Sequence, residues 1–341
     1  MISIDDVRAA QTRLFGLTAV TPLLSSPTLD EVCGGRVVCK AENLQLTGSF
    51  KLRGALNHVL SLSREELAAG VIGASSGNHA QALAFAAHQA GTHAVVVVPA
   101  DAPKIKVAAA RALGAEVVFY VRGHDDYDAL VAELAHSRGL TIFPSSNSLQ
   151  VIAGGGTVAL ELLAHEEIDT LVVPVGGGGL AAGCAVAAKA INPAIQVIGV
   201  EPSSGDDTAA SLRRGSRVTI QPPLTIADGL THTTPAPIPF DINRTLLHEV
   251  VTVTDGQIIE AMEVAFTRLK VVVEPSGACA LAAVTCGQIT SASGKIGVVL
   301  SGGNVDWSTF RTLIGRTDTR RDDGLPGVRA DDDGRPRADA S

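Results

Sequence analysis

Thr170-Leu171-Val172-Val173-Pro174-Val175-Gly176-Gly177-Gly178-Gly179-Leu180-Ala181-Ala182-Gly183-Cys184-Ala185-Val186-Ala187-Ala188 carries no charged residue and is long enough on paper to span a bilayer. Pro174 and the glycines Gly176, Gly177, Gly178 and Gly179 interrupt the run near its first third, and Lys189 closes it. The stretch therefore reads as a strand (170–175), a glycine loop and a helix (181–191), and the membrane reading is rejected. Without side chains, the N–H groups of such a loop can close on a phosphate, and the helix N-terminus adds a favourable field. A turn made only for close packing would carry the entropic cost of successive glycines for nothing.

The same alternation runs along most of the chain. Short Val/Ile-rich runs at 36–42, 71–74, 94–98, 116–121, 196–200, 250–254 and 297–300 read as strands, and stretches at 79–89, 104–113, 127–137 and 258–269 as helices. Apolar strands alternating with helices imply an α/β fold of two parallel or mostly parallel open sheets flanked by helices. At 341 residues the chain is too long for one small core. The β-α units of 70–143 can form a small domain, inserted between 1–69 and 144–315, which make a large one. From 316 to 341 Arg, Asp, Gly and Pro dominate, and this tail is predicted to be disordered.

Composition narrows the function. A formal charge of −8 argues against a nucleic-acid surface, which needs a basic face. Cys33, Cys39, Cys184, Cys279 and Cys286 form no CxxC pair, so buried reduced thiols in a reducing compartment are expected, not disulfides or metal ligands. The start, Met1-Ile2-Ser3-Ile4-Asp5-Asp6, has no basic region or apolar core of a signal peptide, and a cytoplasmic enzyme is expected.

Thr47-Gly48-Ser49-Phe50-Lys51-Leu52-Arg53-Gly54-Ala55 places a lysine between a strand and a helix. A half-buried lysine loses hydration, its pKa falls, and its neutral amine becomes available for imine chemistry, as pyridoxal phosphate requires. A solvated lysine at a helix start is the plainer reading of this segment taken alone. Ala74-Ser75-Ser76-Gly77-Asn78-His79-Ala80-Gln81 also runs from strand to helix. Ser75, Asn78, His79 and the local N–H groups suit an α-carboxylate, and Asn78 can reach a phenolic oxygen. Simple N-capping by Ser75 or Ser76 is the alternative. Ser301-Gly302-Gly303-Asn304 follows another apolar strand, where the Ser301 hydroxyl can hydrogen-bond a ring nitrogen. A hydroxyl cannot hold a pyridine proton as a carboxylate does, which favours prompt loss of a β-substituent over transamination. A rival reading uses Gly177-x-Gly179-x-x-Ala182 and Glu201 as a dinucleotide fingerprint, making a nicotinamide oxidoreductase. It leaves Lys51 unexplained.

Together these segments, with Thr225-Ile226-Ala227-Asp228-Gly229 and Glu274-Pro275-Ser276-Gly277-Ala278, resemble the fold-type II pyridoxal-phosphate enzymes, the tryptophan synthase β family, and within it the serine/threonine dehydratase and serine racemase branch. The likeness covers about 21–306. It implies that Lys51 holds pyridoxal 5'-phosphate, Phe50 packs on its ring, Asn78 bonds the ring hydroxyl, Gly176–Gly179 take the phosphate and Ser301 the ring nitrogen. It also implies a homodimer with a small amino-acid substrate and no membrane or nucleic-acid partner. The expected reaction is dehydration and deamination of a β-hydroxy-α-amino acid, L-threonine or L-serine, to a 2-oxo acid and ammonia. The alternative within the family is a racemase, in which the serine matching Ser76 works on the face opposite Lys51.

In Glu201-Pro202-Ser203-Ser204-Gly205-Asp206-Asp207, the Glu201 and Asp207 carboxylates and the Gly205 carbonyl suit Mg²⁺ or Ca²⁺. Racemase-like relatives carry a cation there; acids decorating a helix N-terminus are the plainer reading. Relatives usually show Gly-Gln-Gly-Thr where this chain has Gly154-Gly155-Gly156-Thr157. The glutamine's contacts are therefore missing.

Overall fold

The computed structural model describes residues 2–75, 77–102, 104–121, 123–290 and 294–318. Its strands are β1 (Leu23–Leu24), β2 (Arg36–Ala41), β3 (Val71–Ala74), β4 (Ala94–Pro99), β5 (Glu116–Tyr120), β6 (Thr141–Ile142), β7 (Thr170–Pro174), β8 (Gln196–Pro202), β9 (Glu249–Val253) and β10 (Lys295–Leu300). They form a six-stranded sheet in the order β1-β2-β10-β7-β8-β9 and a four-stranded sheet in the order β5-β4-β3-β6. Of these strands only β1 pairs antiparallel, on β2.

Helices on both faces explain the apolar runs. In the larger sheet Val172 and Val298 enter one core layer, while Leu171, Val173 and Val299 enter the other. Successive side chains point to opposite faces, so a strand buried on both sides must be apolar at every position. The smaller sheet repeats this, with Val96 and Val98 on one side and Val95 and Val97 on the other. Its first layer also takes Leu52, Leu56 and Val59 from helix Lys51–Val59. The cores of the two sheet regions therefore meet at that helix.

Three local features depart from expectation. β1 and β6, with two residues each, are too short to show a period. The segment at 258–269 is not one α-helix: Thr254 caps helix Asp255–Val264, a π-turn follows over Ala265–Leu269, and Lys270 closes it at φ 61°. Helix Trp307–Asp318 extends beyond 315, and positions 319–341 of the expected disordered tail lie outside the described residues. Among the described residues no helix is long and apolar enough to cross a membrane. All five cysteines are free thiols.

Candidate active site

The motifs converge because each follows the C-terminal end of a parallel strand, where open α/β sheets bind ligands. β2, β10 and β7 are neighbours, and the Lys51, Ser301 and glycine loops leave them in that order. The first two loops are stitched together: Phe50 N–H donates to the Ser301 carbonyl at 3.0 Å and Gly303 N–H to the Gly48 carbonyl at 2.9 Å. Gly48 lies at φ +72°, and an added Cβ would stand 2.2 Å from Asn304 Oδ1, so both conformation and space require glycine.

Lys51 opens helix Lys51–Val59, with its Nζ 5.1 Å from the centre of the Phe50 ring. Burial pushes its pKa down to about 8, against the pull of the Glu274 carboxylate. Its partial burial and the lowered value disfavour the reading of a freely solvated lysine at a helix start. Arg53, in the first turn of the same helix, is 1% exposed. Its guanidinium donates to both Glu42 oxygens at 2.7 and 2.8 Å and to both Glu161 oxygens at 2.6 and 2.8 Å. Lys40 Nζ adds bonds of 2.6 Å to Glu161 and to the Thr21 carbonyl. This network ties the Lys51 helix to β2 and to helix Leu149–Leu163.

Asn78 and His79 open helix Asn78–Ala90, whose N-cap, Gly77, makes no side-chain capping bond. Ser75 Oγ accepts from Gly77 N–H at 3.1 Å and does not cap the helix, so among the described residues no side chain caps its first N–H groups. Asn78 Nδ2 donates to Glu274 at 2.5 Å, and Asn78 Oδ1 accepts from Asn304 Nδ2 at 2.8 Å. That fixes the amide and leaves Nδ2 a second N–H for a phenolic oxygen. His79 stacks on Phe143, ring centres 4.9 Å apart, and lines the cavity with Lys51. Ser76 lies outside the described residues.

Gly176, Gly177, Gly178, Gly179, Phe50, Lys51, His79 and Ser301 line one cavity, which brings the expected cofactor residues together apart from Asn78, which does not line it. Only Gly178, at φ +84°, needs glycine for its conformation. Gly177 lacks space, since a Cβ there would stand 2.4 Å from Ser146 Oγ, while Cβ atoms at Gly176 and Gly179 would make tight contacts of 3.1 Å with His232 Nδ1 and 3.3 Å with Ser146. Helix Leu149–Leu163 sets the width of the site. A Cβ at Gly154 would reach 2.5 Å from the Arg53 carbonyl, and one at Gly156 would reach 2.7 Å from the Gly183 carbonyl. Those two glycines let this helix lie close between the Lys51 helix and helix Gly179–Ile191. Gly155 is different: it lines the cavity, and its Cβ would meet nothing nearer than 3.5 Å.

Glu201 and Asp207 are buried, at 0% and 1% exposure. The Glu201 oxygens accept from the N–H groups of Thr208 at 3.0 Å and Ala209 at 2.9 Å, which caps helix Asp207–Arg214 from the end of β8. Neither Asp207 oxygen has a hydrogen-bond partner. Burial first, then the neighbouring negative charge, pushes Glu201 up; burial also pushes Asp207 up. Gly205 is buried in the turn between them. Among the described residues no cluster of three or more His, Cys, Asp or Glu forms a metal site, so a cation here would rely on this pair, the Gly205 carbonyl and water.

Buried polar atoms without partners are costly, and here they concentrate where ligands are expected. Among the described residues they are on Asn43, Thr47 and Ser49 around the Lys51 loop, on His79 and His232, on Asn243 beside the glycine loop, and on Asp207 and Thr208. Glycines without room for a Cβ, a deprotonatable buried amine and a hydroxyl at Ser301 fit pyridoxal phosphate. No carboxylate lines the cavity among the described residues. Sequence reading missed Glu274, Arg53, Ser146 and His232 as site-shaping residues; Glu274 and Arg53 stood inside quoted motifs without a role.

The two histidines predict an acid limb in stability. Burial first, then the Lys51 charge, lowers His79 to about 3 and His232 to about 4. Below the unfolded value of about 6.5 the unfolded chain binds protons that the folded chain refuses. The histidines' share of stability should therefore rise with pH between about 4 and 6.5, opposed by Glu201 and Asp207, whose raised values let the folded chain keep protons that the unfolded chain releases. Denaturant titrations at several pH values check this, and His79→Asn with His232→Asn should make the slope between pH 5 and 6.5 less positive than that of the unmodified protein. An unchanged slope in the double variant would refute it.

A family profile described as "PALP: Pyridoxal-phosphate dependent enzyme" matches residues 14–302. The L-threo-3-hydroxyaspartate ammonia-lyase of Pseudomonas sp is 42% identical over 313 residues, covering 92% of this chain and 98% of that protein. The structure of maize serine racemase superposes with a TM-score of 0.87 at 38% identity, covering 94% of this chain and 98% of its own. The crystal structure of a T.th. threonine deaminase does so with a TM-score of 0.84 at 42% identity, covering 89% and 99%.

Proposed function

The chain belongs to the pyridoxal-phosphate-dependent enzyme family, and from that premise we propose that it is an ammonia-lyase that eliminates water from a β-hydroxy-α-amino acid, L-threonine or L-serine. The carrying observation is Ser301, buried in a cavity lined by no carboxylate among the described residues. A serine hydroxyl facing the cofactor's ring nitrogen would not hold a proton there as a carboxylate does, and the weaker electron sink would favour prompt loss of the β-hydroxyl. Bound there, pyridoxal phosphate would supply that sink for the substrate's Cα. Lys51 would anchor it, and the same amine, which burial lowers to about 8 in this structure, would take the Cα proton. Asn78, held by Glu274 and Asn304, would bond the phenolic oxygen, and the loop amides of Gly176–Gly179 would hold the phosphate. Ser75, His79 and the uncapped N–H groups before helix Asn78–Ala90 receive the substrate carboxylate.

A substrate panel tests this: L-serine, L-threonine, the 3-hydroxyaspartate isomers and phenylserine, scored for 2-oxo acid and for enantiomer. Oxo acid from serine or threonine is expected; inversion without oxo acid would refute the reading. Gly155 leaves space in the cavity where relatives usually carry glutamine, so the panel includes larger β-substituents.

Racemisation is the second reading, favoured by the likeness to maize serine racemase. It needs an acid/base on each face of the planar carbanion, and Ser76 is proposed for the face opposite Lys51. Elimination is the main activity, with slow racemisation beside it. Ser76→Ala should suppress inversion of serine at least about tenfold and leave elimination from the L-isomer largely intact. Equal loss of both activities would make Ser76 a structural or substrate-binding residue.

We also propose that Glu201, the Gly205 carbonyl and Asp207 hold Mg²⁺ or Ca²⁺. The supporting observation is a buried carboxylate, Asp207, with no partner beside a second buried carboxylate. Chelation should lower melting temperature and activity, and added Mg²⁺ or Ca²⁺ should restore both through binding linkage. Melting unchanged after exhaustive chelation would leave only the helix-capping role. A homodimer in the cytoplasm completes the proposal. Reduced cysteines suit that compartment, and exposed Val20, Leu44 and Leu46 offer apolar surface for a second copy.

A further inference from the structure

An all-glycine loop can hold a phosphate only through backbone N–H groups. Gly176–Gly179 offer no side-chain donor of their own. The surroundings do. A Cβ at Gly177 would stand 2.4 Å from Ser146 Oγ, 3.0 Å from Ser146 Cβ and 3.1 Å from His232 Nε2. The volume that a serine or threonine side chain at 177 would fill is thus already occupied by a hydroxyl and a ring nitrogen from other segments. Ser146 is 7% exposed and lines the same cavity as Lys51. It reaches the loop from the turn after β6. His232 approaches from the segment after Asp228-Gly229-Leu230, its Nδ1 buried without a partner and 3.1 Å from the Cβ position of Gly176. Gly177 has no positive φ, so crowding by the Ser146 and His232 side chains, and not backbone conformation, is what opposes a side chain there.

We propose that Ser146 and His232 supply, from outside the loop, the side-chain hydrogen bonds to the cofactor phosphate that the glycines cannot make, the Ser146 hydroxyl lying where a side chain at 177 would begin. This deepens, and rests on, the assignment of Gly176–Gly179 to the phosphate. A neutral imidazole and a hydroxyl can each donate one hydrogen bond to a phosphate oxygen while accepting another. Hydrogen bonds to a charged group are the strong ones, so each loss should be measurable.

The experiment compares retention of pyridoxal 5'-phosphate and of pyridoxal by equilibrium dialysis, with ³¹P NMR of the holoenzyme across pH. Ser146→Ala and His232→Asn should each weaken the phosphate ester about tenfold or more, leave pyridoxal within about twofold, and shift the pH dependence of the ³¹P signal. Ser146→Cys keeps the volume with a weak donor and should behave like Ser146→Ala, which separates the lost hydrogen bond from lost packing. The swap Ser146→Gly with Gly177→Ser moves the hydroxyl into the loop and should recover most of the loss. Gly177→Ser alone should weaken the ester by crowding Ser146. Equal loss of both ligands, no loss of either, or a swap no better than Ser146→Gly alone would overturn the inference. If the unmodified protein held pyridoxal as tightly as its phosphate ester, the loop assignment itself would fail. If it strongly preferred the ester and the variants did too, only the donors from outside the loop would fail.

Discussion

Lys51→Ala is expected to abolish turnover, by at least about a thousandfold, and to remove the visible absorbance of the lysine-bound cofactor. Lys51 is the one lysine among the described cavity-lining residues, so no neighbour can take its place. Its amine is poised by burial at about 8, low enough to be partly neutral near neutral pH and basic enough to take a Cα proton. Alanine removes both the anchor and the base. The contacts at Ser301, Asn78 and the glycine loop remain, so cofactor retention should fall without vanishing. An absorbance spectrum before and after borohydride, with a 2-oxo acid assay, checks the prediction. A retained band with near-normal rate would refute the assignment of Lys51 and the reaction built on it.

Arg53→Met is expected to destabilise the fold by about 3–5 kcal/mol. The guanidinium is the shared partner of Glu42, at 0% exposure, and Glu161, and it also donates to Thr157 Oγ1 at 3.2 Å. Removing it leaves Glu42 and Glu161 facing each other, with only Lys40 still paired to Glu161. Most of the cost comes from uncompensated buried charge and not from lost attraction. Glu42→Gln added to Arg53→Met should therefore recover part of the loss. Denaturant unfolding of the three proteins measures this; a single-variant cost below about 1 kcal/mol, or no recovery in the double, would refute it. Because Arg53 shares a helix with Lys51, the destabilised variant should also hold the cofactor more weakly.

Much of the fold was legible because its strands are buried on both faces. A strand such as β4, Ala94–Pro99, must be apolar throughout, and that run stands out in any window of sequence. The two-residue strands β1 and β6 carry no such pattern. They exist because a longer neighbour offers hydrogen bonds: Leu23 and Leu24 pair with Lys40 and Cys39, and Thr141 and Ile142 with Val71 and Ile72. The π-turn at Ala265–Leu269 was equally invisible, since its apolar spacing is that of the helix it follows.

For the site, residue type and local spacing were enough to determine an amine at Lys51, a side-chain-free loop at Gly176–Gly179, a hydroxyl at Ser301 and a polar helix start at Asn78 and His79. Each of those chemistries depends on groups a few residues apart. Only the tertiary structure decided what surrounds them. Arg53 has no role within its motif until Glu42 and Glu161, from two other elements, close on it. Gly154 and Gly156 read only as matches to a motif until the carbonyls of Arg53 and Gly183 occupy the space a Cβ would need. Ser146 and His232 carry no local signal, and their proximity to Gly177 arises from packing between segments distant in the chain. Sequence determines the chemistry a residue can offer, because that resides in covalent structure. Burial, pairing and steric exclusion depend on neighbours brought together by packing, so the fold decided which of those chemistries meet in one cavity.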